Sequence, residues 1–313
     1  MRIVVLDDYQ RVAEGYADWD ALGADDVRFE SEPLVGDALL RALAGAEVVV
    51  AMRERTAFTA EVLAQLPDLR LLVTTGPSNA VIDVAAASAR GVVVCGTESP
   101  KTATPELAWG LILAVLREIP TENAAVRDGG WQTTIGGGLD GRRLGIVGLG
   151  RLGSRMAHIG QAFGMEVVAW SQNLDADTAA AQGATRVTKE ELFRTSDVVT
   201  VHYKLSERSR GLIGAAELAL MKSSAILVNT SRGPLVDTDA LLDALRAGRI
   251  RGAGIDVYDT EPLPRDHPLR SAPRTVLTPH IGYVTDETYR IYYGQAAEDI
   301  AAWIQGSPIR VIG

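Results

Sequence analysis

The chain has 313 residues, 47% hydrophobic and 23% charged, which is typical of a folded globular protein with room for two ordinary domains. Its formal net charge of −9 argues against nucleic acid or an anionic membrane surface as a partner. The single cysteine, Cys95, excludes an intramolecular disulfide framework and fits a reducing compartment. No apolar run approaches the roughly 18 residues of a membrane helix, and the chain opens on a strand pattern, so we expect a cytoplasmic protein.

The first hundred residues alternate strand and helix patterns, which predicts a mostly parallel sheet covered on both faces. The predicted strands are 3–6, 27–31, 48–51, 71–74 and 92–94, and the predicted helices are 37–44, 60–65 and 83–89. Ligands of such sheets bind beyond the carboxyl ends of the strands, where Arg53 and Arg55 either bind an anion or are simply solvated. We interpret Cys95 as a buried strand-end residue rather than a nucleophile.

A helix pattern over residues 102–127 predicts one long helix that crosses between domains, followed by a glycine-rich loop. A second alternating series then predicts strands 144–147, 167–170, 198–202, 225–229, 252–255 and 276–277, with helices 152–163, 190–195, 215–221 and 237–247. The last helix, 286–304, is predicted to return to the first domain. The expected domains are therefore 1–101 with 284–313, and 102–283.

Strand 144–147 ends in the sequence Gly148-Leu-Gly150-Arg-Leu-Gly153, and a helix pattern begins at once. In a dinucleotide site, Gly148 permits the tight turn, Gly150 admits the pyrophosphate and Gly153 lets helix and strand pack closely. The helix N-terminus adds free N–H groups and a positive dipole end. The motif predicts dinucleotide binding, with a purely structural turn as the alternative.

Strand 167–170 ends in Ser171-Gln172-Asn173, where an NAD-selective site usually has an Asp or Glu that accepts from the adenine ribose. These neutral donors tolerate a 2′-phosphate, yet no Arg follows directly to pair with it. Asp175 and Asp177 lie a few residues further on, in positions that depend on the loop. Both NAD and NADP therefore stay open.

Of the four histidines, His280 is the best candidate for a proton donor, because it follows strand 276–277 at the ligand edge. His158 is expected to be a packed or partly exposed helix residue, His202 to line the adenine pocket, and His267 to be structural in a proline-rich loop.

Arg232 and Glu261 follow two other strands of the same series. An Arg offers a planar fork to a carboxylate and polarises an adjacent carbonyl, and a Glu bonded to an imidazole favours its charged form. On spacing alone, a surface salt-bridge network is the alternative.

The sequence resembles the D-isomer-specific 2-hydroxyacid dehydrogenases, a family that includes phosphoglycerate dehydrogenase and the glyoxylate/hydroxypyruvate reductases. Four motifs carry the resemblance, in order and over nearly the whole chain: the glycine turn at 148–153, Leu-Val-Asn-Thr-Ser-Arg-Gly at 227–233, Gly-Ile-Asp-Val-Tyr-Asp-Thr-Glu-Pro at 254–262, and Thr-Pro-His-Ile-Gly at 278–282. The resemblance implies an α/β fold with two doubly wound parallel-sheet domains, a Rossmann nucleotide-binding domain inserted in a flavodoxin-like substrate domain. It also implies a homodimer formed through the nucleotide domain.

The resemblance further implies site roles. Arg232 binds the substrate carboxylate and carbonyl, Glu261 pairs with the imidazole, and His280 donates the proton. The motif, the strand ends and the resemblance together give the expected NAD(P)-binding residues: Thr104, Gly148, Gly150, Arg151, Leu152, Gly153, Ser171, Gln172, His202, Ser206, Thr230, Ser231, Asp256 and Gly282. The expected substrate-binding residues are Arg53, Ser78, Asn79 and Arg232, and no metal is expected.

The substrate-domain loop departs from the family pattern, since Pro77 in Gly76-Pro77-Ser78-Asn79 has no N–H to donate to a substrate carboxylate. The substrate therefore stays open within an expected hydride transfer between NAD(P)H and a small 2-oxo acid. One alternative is a formate- or phosphite-type dehydrogenase, although Glu261 favours the hydroxyacid reaction over the formate type. The other is a nucleotide-sensing, corepressor-like regulator.

Overall fold

The computed structural model describes all 313 residues, which divide into two compact units, Met1–Pro100 with Val284–Gly313, and Lys101–Tyr283. The strands are β1 Arg2–Val5, β2 Asp26–Phe29, β3 Val48–Ala51, β4 Leu71–Thr74, β5 Val93–Gly96, β6 Arg143–Val147, β7 Glu166–Trp170, β8 Thr185–Arg186, β9 Val198–Val201, β10 Ile226–Asn229, β11 Gly252–Ile255 and β12 Thr275–Leu277. The α-helices are α1 Gly36–Leu43, α2 Ala60–Ala64, α3 Val84–Ala89, α4 Ala103–Leu116, α5 Ile119–Arg127, α6 Arg151–Ala162, α7 Ala176–Ala181, α8 Lys189–Thr195, α9 Ala215–Leu220, α10 Thr238–Arg246 and α11 Asp286–Ile304.

The first unit contains a five-stranded parallel sheet in the order β2-β1-β3-β4-β5. Its central strands β3 and β4 are fully buried runs of Val, Leu, Ala and Thr, as expected where both faces of a sheet are covered. The strand order reverses between β1 and β3, which opens a crevice at their carboxyl ends. Cys95 in β5 is fully buried, and burial raises the pKa of its thiol to about 11, which confirms the prediction of a buried hydrophobe.

The second unit contains a seven-stranded parallel sheet in the order β12-β11-β10-β9-β6-β7-β8. One apolar cluster joins α4, α6 and α7 to one face of the sheet, and another joins α8, α9 and α10 to the other face. The strand order reverses between β6 and β9, so the ligand crevice of this unit lies at the carboxyl ends of these strands. The predicted fold class, an α/β protein with two parallel sheets, is confirmed.

The prediction of one helix over residues 102–127 is wrong, because α4 ends at Leu116 and α5 begins at Ile119. Glu118 lies between them in a left-handed conformation with φ 54°. Pro120 has no N–H to donate to the carbonyl of Leu116, which instead accepts the N–H of Gly137 at 2.7 Å. The glycine-rich loop is thereby tied back to the end of α4.

Two elements of the second unit, α7 and β8, were not predicted. β8 has only two residues, too few to show an alternating pattern, and α7 is a six-residue run of mostly alanine. β8 makes the sheet seven-stranded rather than six-stranded. The last helix, α11, has its predicted bounds, and no helix of the chain is both long and apolar enough to span a membrane.

Candidate active site

The glycine turn between β6 and α6 contains two glycines that packing requires. Gly148 has φ 100°, and a Cβ on it would lie 2.5 Å from the carbonyl oxygen of His202. A Cβ on Gly153 would collide with the carbonyl oxygen of Gly148. Gly150 differs, since a Cβ there would meet no atom within 4 Å. The turn therefore leaves an open space at the first turn of α6, where free N–H groups favour a phosphate.

Two buried polar atoms near this turn have no partner in the protein. They are Oγ1 of Thr230, which follows β10, and Nδ1 of His202, which follows β9. β9 lies between β6 and β10, so both atoms belong to the same sheet edge as the glycine turn. A buried polar group without a hydrogen bond is costly, and such groups normally meet a ligand or water. The turn and these two atoms fit a bound dinucleotide.

His202 is not suited to acid catalysis. Its Nε2 lies 2.8 Å from Oγ1 of Thr200, and burial lowers the pKa of the imidazole to about 4. At neutral pH the ring is therefore uncharged. This agrees with a binding role at the cofactor rather than a chemical one.

Some of the other predicted cofactor residues are accessible to solvent, and others make hydrogen bonds within the protein. Arg151 is exposed and Leu152 half-buried in the first turn of α6. The hydroxyl of Ser231 donates to the carbonyl of Tyr203 at 2.7 Å, and the N–H of Ser206 donates to Oγ of Ser209 at 2.7 Å. Ser206 and Ser231 thus hold the loops that follow β9 and β10.

His280 and Glu261 form a hydrogen-bonded pair in which Nδ1 of the imidazole lies 2.6 Å from Oε2 of the carboxylate. The second oxygen of Glu261 accepts the backbone N–H of Tyr258 at 2.9 Å. The two side chains are 19% and 29% exposed, so a small molecule can reach them. With Nδ1 engaged, Nε2 of His280 is the atom left to exchange a proton with a substrate.

Asp256 holds the turn that carries His280. It is fully buried, and it accepts hydrogen bonds from the Thr278 hydroxyl at 2.6 Å and from the N–H groups of Ile281 and Gly282 at 2.9 Å each. Burial raises the pKa of Asp256, and these hydrogen bonds act in the opposite direction. His280 itself has φ 54°, a conformation that needs such support. The resemblance implied cofactor contact for Asp256 and did not predict this contact set.

Gly282 lies close to Thr104, another predicted cofactor residue. A Cβ on Gly282 would lie 3.1 Å from Oδ2 of Asp256 and 3.3 Å from Cγ2 of Thr104. The start of α4 therefore packs against the His280 turn.

Arg232 follows β10 in a loop fixed by Asn229, which sequence reasoning did not single out. The Asn229 amide donates to the carbonyl of Arg232 at 2.9 Å and accepts the N–H of Ser231 at 3.0 Å. A Cβ on the next residue, Gly233, would collide with the backbone of Tyr258, the residue that donates to Glu261. The Arg232 loop and the Glu261 loop are thus packed together at one edge of the sheet.

In the first unit, Arg53 is held in a left-handed conformation with φ 52°. Its N–H donates to Oγ1 of Thr75 at 2.9 Å, and its Nη1 donates to the Thr75 carbonyl at 3.1 Å. A Cβ on Gly76 would collide with the Arg53 guanidinium, so only glycine lets the side chain pass. Arg55 donates to the carbonyl of Asp7 at 2.8 Å and lies over the Tyr9 ring.

The structure gives the predicted substrate residue Asn79 a different set of contacts. Its amide nitrogen donates to the Arg53 carbonyl at 2.6 Å and to Oγ1 of Thr74 at 2.9 Å, and its oxygen accepts the N–H of Val81. No side-chain donor is left for a substrate carboxylate. The neighbouring Ser78 is exposed. Asn79 therefore positions Arg53 and the loop.

The two remaining histidines lie apart from this cluster. His158 is exposed on α6, and Nδ1 of His267 accepts the N–H of Leu269 at 3.2 Å, a contact within the proline-rich loop.

Comparisons with known proteins agree on one family. The sequence model described as D-isomer specific 2-hydroxyacid dehydrogenase, NAD binding domain, matches residues 109–282. A glyoxylate reductase from Aeropyrum pernix is 41% identical over 256 residues, which are 79% of this chain and 76% of that protein. A D-3-phosphoglycerate dehydrogenase from Methanocaldococcus jannaschii is 34% identical over 277 residues, 87% of this chain but only 52% of that protein. The solved phosphoglycerate oxidoreductase from Vibrio cholerae o395 is 36% identical with a TM-score of 0.92, over 98% of this chain and 100% of that one.

Proposed function

Since this chain belongs to the D-isomer specific 2-hydroxyacid dehydrogenase family of NAD(P)-dependent enzymes, we propose that it reduces a small 2-oxo acid to the D-2-hydroxy acid. The observation that carries the proposal is the His280–Glu261 pair, with Nδ1 and Oε2 2.6 Å apart. In such a pair the carboxylate engages Nδ1 of the imidazole and leaves Nε2 to transfer a proton, as reduction of a carbonyl requires.

Three residues of the chain have separate roles in the proposed reaction. When bound, NAD(P)H would supply the hydride to C2 of the substrate. His280 donates its Nε2 proton to the developing alkoxide, and Glu261 stabilises the imidazolium and fixes the ring. Arg232 binds the substrate carboxylate through its planar fork and stabilises negative charge on the carbonyl oxygen. In the oxidative direction Nε2 takes the proton back.

The cofactor would be held by the edge of the second unit. The open space at Gly150 and the N-terminus of α6 suit the pyrophosphate, and the partnerless atoms of Thr230 and His202 suit polar groups of the dinucleotide. In the first unit, we propose Arg53 and Ser78 as substrate-binding residues. Asn79 acts there by fixing the backbone of Arg53 at 2.6 Å.

We propose a substrate of the size of glyoxylate or hydroxypyruvate. A glyoxylate reductase is 41% identical to this chain over three quarters of its own length. The phosphoglycerate dehydrogenase and the solved phosphoglycerate oxidoreductase named above are less similar to this chain, at 34% and 36% identity. A formate-type reaction is disfavoured because the imidazole partner is the carboxylate of Glu261.

We also propose that the protein is a homodimer formed through the second unit. The loop after α5 exposes 76% of Trp131 and 92% of Ile135, and α5 itself exposes about half of Ile119 and Val126. Large apolar side chains gathered in one segment usually mark an interface. Trp131→Ser with Ile135→Ser should give a monomer by light scattering. Val35→Ser, at an exposed valine of the first unit, is the control and should leave the dimer intact.

The test of the activity is a panel of 2-oxo acids, including glyoxylate, hydroxypyruvate and 3-phosphohydroxypyruvate, assayed with NADH and with NADPH. We expect turnover of at least one small 2-oxo acid, followed at the nicotinamide absorbance. Tight cofactor binding without turnover of any member would contradict the proposal and favour a nucleotide-sensing regulator. Oxidation of formate or phosphite without reduction of any 2-oxo acid would favour the other alternative.

A further inference from the structure

The loop after β7 carries a neutral donor where this fold meets the adenine ribose of its cofactor. Its first residue, Ser171, accepts the N–H of Leu149 at 3.2 Å through its hydroxyl oxygen. A hydroxyl that accepts in this way keeps its own proton to donate. Ser171 is thus fixed against the glycine turn and offers the 2′ position a donor without a negative charge.

The two acids further along the loop do not replace the missing carboxylate. Asp175 is the N-cap of α7, and its two oxygens accept the N–H and the hydroxyl of Thr178 at 2.7 Å each. Asp177 lies exposed in the first turn of the same helix, where its charge favours the helix N-terminus. Both carboxylates therefore stabilise the N-terminus of α7 and are not placed at the end of β7.

A cation reaches the same loop from the neighbouring strand. Arg186 in β8 pairs with Ala169 in β7, so its side chain projects on the face shared by Ala169 and, two positions on, Ser171. Its Nε donates to the carbonyl of Leu174 at 2.7 Å, and the N–H of Leu174 donates to the Ser171 carbonyl at 3.2 Å. The guanidinium is exposed, and Nη1 and Nη2 make no hydrogen bond to the protein.

A phosphomonoester is best bound by a guanidinium fork and hydroxyl donors with no competing carboxylate. We propose that this chain prefers NADP(H) to NAD(H), and that Ser171 and Arg186 bind the 2′-phosphate. The inference rests on the proposed function, because it assigns cofactor choice at that same site. Arg186 does not follow Ser171 directly in the sequence but lies beside this loop in β8, a strand that the sequence pattern does not predict.

Calorimetric titration of the intact protein with NADPH and with NADH tests the preference. We expect the Kd of NADPH to be at least about tenfold lower, the gain typical of a charge-assisted contact. The fragments 2′,5′-ADP and AMP, which lack the nicotinamide, should show the same order. Equal or tighter binding of NADH than of NADPH, or no binding of either, would overturn the inference.

Two variants assign the residues. Ser171→Asp should raise the Kd of NADPH about a hundredfold, because it places a negative charge against the 2′-phosphate. The same change should lower the Kd of NADH. Arg186→Gln should raise the Kd of NADPH about tenfold and leave that of NADH within about twofold, with Arg186→Lys intermediate. If Arg186→Gln raised the Kd of NADPH and of NADH equally, Arg186 would only support the loop and would not bind the 2′-phosphate.

The matched controls are Arg194→Gln, an exposed arginine of α8 that pairs with Glu190, and Asp177→Asn. Neither should change the Kd of either cofactor. A weaker NADH complex in Asp177→Asn would identify that acid as a ribose ligand and contradict the inference. Tight NADPH binding without turnover of any 2-oxo acid would instead leave the preference standing and overturn the proposed function.

Discussion

Glu261 holds His280 by one carboxylate oxygen while its other oxygen is held by the backbone. Oε2 lies 2.6 Å from Nδ1 of the imidazole, and Oε1 accepts the N–H of Tyr258 at 2.9 Å. The two residues come from loops after neighbouring strands, β11 and β12. Because the carboxylate cannot rotate without losing one bond, the direction of the imidazole is fixed as well. This relationship leaves Nε2 as the nitrogen that we propose to face the substrate.

Glu261→Gln should therefore lower kcat by about 10²-fold, because an amide presents the imidazole with a donor as readily as an acceptor and no longer stabilises its charge. The Kd of the cofactor should stay unchanged. Steady-state kinetics with a good 2-oxo acid, alongside calorimetric titration, separates the two effects. An unchanged kcat would show that the pair is only a surface ion pair.

The glycine turn predicts opposite behaviour for two alanine variants. Gly153→Ala should destabilise the free protein, since its Cβ collides with the carbonyl of Gly148. Gly150→Ala should leave the thermal unfolding of the free protein nearly unchanged. It should raise the Kd of the cofactor about tenfold or more, because the methyl group enters the open space. Cofactor binding as tight as in the unaltered protein would mean that the space at Gly150 is not a phosphate site.

Gly76→Ala should raise the KM for the 2-oxo acid by about tenfold, because the added Cβ displaces the Arg53 guanidinium. Gly91→Ala is the matched control, since Gly91 also has a positive φ but would meet no atom within 4 Å. Both variants should lose about 1 kcal/mol of stability from backbone strain. Equal KM values in the two variants would argue against Arg53 as a substrate-binding residue.

The buried carboxyl of Asp299 should make the free energy of unfolding depend on pH. It is buried in α11 with Oδ1 2.9 Å from Nε of Arg310, and burial raises its pKa from 3.8 to about 6. The folded state then binds a proton more tightly than the unfolded state, so this group's contribution to stability falls as the pH rises from about 4 to 6. Urea unfolding should show this fall in the unaltered protein and in Glu287→Gln, an exposed change on the same helix, but not in Asp299→Asn. Parallel profiles for all three proteins would contradict the assignment.

Local patterns predicted most of the fold. Most strands and α11 follow from apolar periodicity, although ends such as those of β2 and β5 differ by one or two residues. The glycine turn follows from the close approaches at Gly148 and Gly153. The break at Glu118 was missed, although Pro120 signals it, because the apolar pattern continues through it. At this position the apolar pattern predicted one continuous helix, whereas the missing N–H of Pro120 ends it.

Apart from the Glu261–His280 pair that the resemblance implied, the long-range contacts of the site residues could not be predicted from the sequence. The sequence predicts Asn79 as a substrate ligand, but both donors of its amide are engaged by Arg53 and Thr74, 26 and 5 residues away. Asp256 likewise turned out to hold the His280 turn, 25 and 26 residues further along the chain. Sequence spacing brings such residues to the same edge, but it does not determine which hydrogen bonds each of them makes.

The most direct test of the proposed chemistry is the kcat of His280→Ala with the best 2-oxo acid and its preferred cofactor, measured beside His158→Ala, which alters an exposed helix residue. Removing the proton donor should lower kcat by about 10²–10⁴-fold without changing the Kd of the cofactor, and the His158 variant should behave like the unaltered protein. Near-normal turnover by His280→Ala would contradict the central claim that His280 protonates the substrate.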